Sequence, residues 1–188
     1  VNPLPVVSYA TLAAEYCVDA PSVLLTVSPA GGFFTGPITG NTFNPALAGV
    51  GTHVITYQYT NGNGCTNSYS QTVIVHPLPV VSFTGLGAEY CVDAPAVTLT
   101  GSPVGGVFTG PGTSGLQFNP ATAGAGTHTI TYTYTDGNGC VNSESHTVIV
   151  HPLPVVSFTG LDAEYCIDEA TATLVPSPSG GTFTGTGI

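Results

Sequence analysis

The chain has 188 residues, no Lys or Arg, ten Asp plus Glu, and a formal charge of −10. That balance excludes nucleic acid as a partner, because phosphate binding works through Lys and Arg that release counterions. It equally excludes docking on an anionic membrane. With 42% hydrophobic and 5% charged residues, the chain is too apolar for a disordered acidic tail, yet no apolar run is long enough to span a bilayer.

Taken from its first residue, the chain is a repeat. Pro3-Leu4-Pro5 returns as Pro77-Leu78-Pro79 and Pro152-Leu153-Pro154, and HPLPVVSFTGL stands at both His76–Leu86 and His151–Leu161. AEYCVDAP occurs at Ala14–Pro21 and Ala88–Pro95, FNPA at Phe43–Ala46 and Phe118–Ala121, and GNGC at Gly62–Cys65 and Gly137–Cys140. Cys17, Cys91 and Cys166 recur about every 75 residues, and such a period decides the architecture before anything else. The expected modules are 1–75, 76–150 and an incomplete third, 151–188. The first residues are already in phase with the repeat and carry no leader, so the chain reads as an internal piece or a processed product.

Each module opens on its Pro-Leu-Pro segment, which favours extended backbone. The joints, Val-His-Pro-Leu-Pro, contain no Gly and are expected to be stiff. In the second module Val80–Phe83 is the first predicted strand, and Val97–Thr100 alternates apolar and polar as a second. Gly105–Gly110 and Leu116–Phe118 are short strands, the latter ended by Asn119-Pro120. Thr127–Thr135 is the clearest strand, with Ile130, Tyr132 and Tyr134 on one face. Asp136–Gly139 turns the chain and Val141–Val150 returns, because Asp-Gly and Asn-Gly favour hairpin turns. His53–Thr60, Asn61–Gly64 and Thr66–Val75 repeat this in the first module. There is no helical period. Several short strands in a module this small predict an all-β fold, an immunoglobulin-like antiparallel β-sandwich repeated in a linear array, with a small barrel as the other option.

In each full module one cysteine precedes the second strand and the other follows the hairpin turn. One pair without a CxxC points to a structural bridge, since zinc usually takes four ligands. The expected bonds are Cys17–Cys65 and Cys91–Cys140, each within its module and worth about 4 kcal/mol in the chain-entropy model; buried free thiols are the alternative. The partner of Cys166 is expected beyond the chain end.

Glu15/Asp19, Glu89/Asp93 and Glu164/Asp168 keep a constant phase around the cysteines. They are read as solvated loop carboxylates rather than a calcium site, since no EF-hand loop is present. His76 and His151 are expected to pack or hydrogen-bond at the joints. His53, His128 and His146 form no metal-ligand spacing, and no metal or cofactor is expected. Tyr57, Tyr59, Tyr132 and Tyr134 could stack on a sugar but are read as core. Without HExxH or a G-x-S-x-G elbow the chain is not expected to be an enzyme.

Laid out this way, the repeat resembles the tandem Ig-like domains of very large secreted and cell-surface proteins of gliding bacteria (Bacteroidota), many of them exported by the type IX secretion route. The matching stretches are Tyr90–Gly112, Phe118–Cys140 and the closing TVIV at Thr147–Val150. The resemblance implies an extracellular location and a role in stalks, adhesins or fibres. The expected function is therefore a segment of a stiff extracellular rod or filament, partnered by copies of itself or by continuing repeats. The alternative is an adhesin that binds glycan or a surface partner through loops or the tyrosine face. A mean hydropathy of +0.33 is high for a bare rod, which suggests burial against neighbouring chains or glycan on Thr and Ser. No N-x-S/T sequon is present, so that glycan would be O-linked. For the unfinished third module, covalent continuation of the repeat is preferred over strands donated by another subunit.

Overall fold

A computed structural model describes residues 1–187. The chain is an all-β sandwich protein, 45% strand and 4% helix. In the first repeat a four-stranded sheet runs in the order Glu15–Cys17, Thr66–His76, Gly51–Thr60, Phe33–Thr35. Opposite it lie the pair Ser8–Ala10 with Thr26–Ser28, and a three-stranded sheet of Val23–Leu24, Thr42–Phe43 and Ile38–Thr39. The second repeat has the same order, built on Glu89–Cys91, Val141–His151, Gly126–Thr135 and Val107–Thr109.

The long hairpin is the spine of each repeat. Gly51–Thr60 pairs antiparallel with Thr66–His76 over its whole length, and Gly126–Thr135 does the same with Val141–His151. Alternation sends Ile55, Tyr57, Val73 and Val75 inward, and likewise Ile130, Tyr132, Val148 and Val150; all are 1% exposed or less. Burying each such side chain contributes about 1.5–3 kcal/mol. On the other face hydroxyls pair across the strands, with Thr56 to Ser70 and Thr131 to Ser145 both at 2.8 Å. Against the hairpin pack Tyr9, Leu25 and Phe43 in the first core, and Phe83, Leu99 and Phe118 in the second.

Two features depart from the predicted elements. The Glu-Tyr-Cys triplets, read as loops, are strands, and each runs parallel to the end of the hairpin: Cys17 stands opposite His76, and Cys91 opposite His151. The FNPA motif also starts a four-residue helix, Pro45–Ala48 and Pro120–Ala123. Asn44 accepts hydrogen bonds from the Ala46 and Leu47 amides and Asn119 from that of Ala121. Asn at the cap followed by Pro at the first helical position is a legible start signal.

In the third repeat Ser157–Thr159 pairs with Val175–Ser177. Among the described residues it has no counterpart of the hairpin, and its Glu-Tyr-Cys stretch, Glu164–Cys166, is not a strand.

Candidate functional site: the joint between repeats

The turn at the tip of each hairpin is organised by its first side chain. The Asp136 carboxylate accepts hydrogen bonds from the amides of Asn138 and Cys140 at 2.8 and 2.9 Å. The Asn61 side-chain oxygen does the same for Asn63 and Cys65, both at 3.0 Å. Gly139 and Gly64 have φ of 82° and 77°, a region that glycine enters without a Cβ penalty. The turn thus presents its cysteine at a set place on the leading end of the module.

The Pro-Leu-Pro segment passes that same end. Asn142 donates its side-chain N–H to the Pro79 carbonyl at 2.9 Å, and Asn67 to Pro5 at 2.9 Å. The trailing end is where Cys17 faces His76, the last hairpin residue before Pro77. His76 Nε2 and the Glu15 carboxylate are 3.0 Å apart there, as are His151 and Glu89 at 3.1 Å. The expectation that the joint histidines pack or hydrogen-bond is met, and their partners Glu15 and Glu89 belong to the first two of the three acidic pairs.

This placement overturns the expected disulfides. Cys17 is bonded to Cys140, with Cα atoms 5.5 Å apart and 123 residues between them, while Cys65, Cys91 and Cys166 are free thiols. Cys17–Cys65 and Cys91–Cys140 do not form, for a geometric reason. Cys65 precedes the 11-residue strand Thr66–His76, and Cys17 lies at the far end of it. At about 3.3 Å per residue the two are about 35 Å apart, whereas a disulfide needs Cα atoms within about 7 Å. The hairpin tip of the second repeat instead meets the trailing end of the first, and the bridge crosses the joint. Cys140 is fully buried there.

Other candidate residues fall where packing puts them. Tyr57 and Tyr132 are 1% exposed, so neither ring can stack on a sugar. Their hydroxyls donate to Pro29 and Pro103 carbonyls and accept from the Gly32 and Gly106 amides. Tyr59 and Tyr134 pack beside the same cores. His53 and His128 bond the Gly49 and Gly124 carbonyls at 2.8 Å, and His146 stacks on Phe83 with centroids 4.3 Å apart. Among the described residues no three His, Cys, Asp or Glu side chains converge as a metal site requires, and no helix is long and apolar enough to cross a membrane. A scan of protein-family models and a search of curated proteins return no match for this chain.

Proposed function

We propose that this chain is a structural segment of an extracellular rod or filament, built from β-sandwich repeats set end to end, with a disulfide across the joint between the first two. The observation that carries this reading is the Cys17–Cys140 bridge. It joins two repeats that each have their own core, so it adds little to the folding of either one. Its effect falls on the joint, which gains a second covalent strut beside the Val-His-Pro-Leu-Pro peptide. The bridge leaves from Cys17, the strand neighbour of His76, so it adds a second covalent connection beside the peptide and limits rotation of one repeat against the other. A disulfide also fits an oxidising, extracellular setting, in keeping with the resemblance to secreted repeat proteins.

Small-angle scattering of the full chain, oxidised and then reduced, tests this. The oxidised chain should scatter as an elongated body of one-module cross-section, with an axial rise of about 35 Å per repeat from its 10- and 11-residue strands. Reduction should broaden the distance distribution while far-UV circular dichroism stays unchanged. A compact globule, or freely hinged modules in the oxidised state, would defeat the reading.

A further inference from the structure

Each of the first two repeats is closed at its trailing end by a parallel strand pair. Glu15–Cys17 runs beside Ile74–His76, where the Val18 amide donates to the His76 carbonyl and the Ile74 amide to the Ala14 carbonyl, both at 2.9 Å. Glu89–Cys91 runs beside Ile149–His151 in the same way, with bonds of 2.8 and 2.9 Å. In each pair one strand lies near the start of its repeat and the other ends it. Tension along the chain therefore pulls the two parallel strands in opposite directions. Their hydrogen bonds lie across the pull and are loaded together, in shear, rather than opened one at a time.

The bridge offers tension another path. Cys17 is the last residue of its strand, and Cys140 immediately precedes the strand Val141–His151. A pull that arrives through Glu15 can leave through the Cys17 sulfur, enter the second repeat at Cys140 and run out along Val141–His151. Both strands are then stretched end to end, and neither has to pass force to a neighbour through hydrogen bonds. The two cysteines are 123 residues apart in sequence, and the stretch between them holds much of both cores, including Phe43, Ile55, Val73, Phe118 and Ile130.

We propose that Cys17–Cys140 is the load-bearing element of this joint. It carries axial tension from the first repeat into the second as a covalent shortcut and shields residues 18–139 from it. Reduction hands the load to the parallel pairs and makes both repeats extensible. The inference rests on the reading of the chain as a segment of a rod or filament, which bears tension along its axis, and gives the bridge a mechanical role beyond restraining rotation. Reduction here is exchange with a dithiol such as dithiothreitol. Its two thiolates attack in turn, Cys17 and Cys140 leave as thiols, and the reagent becomes a cyclic disulfide, so two electrons and two protons pass from reagent to protein.

The test holds the full 188-residue chain by its two ends in an optical trap and reads its extension under rising force. In the oxidised chain only residues 1–17 and 140–188 are free to extend, which at about 3.4 Å per residue sets a limit of about 220 Å. After dithiothreitol the limit should rise to about 640 Å, roughly threefold, and the long unfolding steps that release residues 18–139 should appear only then. Cys17→Ser should reach the long limit without reductant, while Cys65→Ser and Cys91→Ser should keep the short one. Extension of the oxidised chain beyond the short limit, or a reduced chain still held at it, would overturn the proposal. Scattering tests the rod and extension under force tests the load path, so each can fail without the other.

Discussion

Cys17 lies directly opposite His76 in a parallel strand pair, at the end of its repeat from which the chain runs into the next. That relationship decides the connectivity of the chain, because it moves Cys17 away from its own hairpin tip and toward that of its neighbour.

The bridge can be read directly from peptides. Trypsin has no site in this chain, but cleavage after Glu and Asp releases Tyr16–Asp19 and Gly137–Glu144. Without reduction these two peptides should run as one species by mass spectrometry. A species joining Tyr16–Asp19 to the fragment that contains Cys65 would contradict the geometry.

Asn142 ties the leading segment to the second hairpin through Pro79. Asn142→Ala removes that hydrogen bond and should destabilise the second repeat by about 1 kcal/mol. The first repeat, held by Asn67 on Pro5, should keep its own transition. Residue-resolved hydrogen exchange separates the two.

Gly106 sits against the strand that follows. A Cβ there would stand 2.4 Å from the Thr133 carbonyl oxygen and 2.6 Å from Tyr132 Cζ. Gly106→Ala should cost about 1–3 kcal/mol through overpacking, and Gly32→Ala should act alike, with the Gln58 oxygen at 2.2 Å. Thermal melts should show the loss in the substituted repeat. At Gly105, where nothing lies within 4 Å but φ is 102°, the cost would come from backbone strain instead.

Alkali should discriminate between the repeats. Burial, with a smaller contribution from nearby Tyr69, pushes the Tyr9 hydroxyl up to about 12 against an ordinary 10.0. A raised folded-state value favours the protonated form, so this contribution to stability is complete below pH 10 and is lost as pH rises from 10 to 12. The second repeat has Phe83 at this position and lacks the effect. Exchange or fluorescence measured from pH 9 to 12 should show the first repeat loosening first. Tyr9→Phe should remove that pH dependence, at the expense of the bond to the Ile55 carbonyl.

Much of this protein is legible in its residues. The period, the all-β class and the long hairpins follow from recurrence, alternation and turn chemistry, all local properties. Tyr57 and Tyr132 were legible as core for the same reason, since a two-residue period carries them to the face of Ile55 and Ile130. The Asn44-Pro45 and Asn119-Pro120 helix starts were there to be read as well.

The strand identity of Glu-Tyr-Cys was not legible, and the disulfide depended on it. Ala88–Cys91 and Ala163–Cys166 have the same sequence, AEYC, yet Glu89–Cys91 is a strand and Glu164–Cys166 is not. Local preference is equal in the two, so the difference comes from outside the segment: the first has the end of Val141–His151 to hydrogen-bond with, and the second has no such strand beside it among the described residues. From the sequence alone came a repeating sandwich with two cysteines per unit. Which cysteine meets which was decided by tertiary structure, because an 11-residue strand separates one pair by its whole length and the stacking of neighbouring repeats brings the other pair within bonding distance.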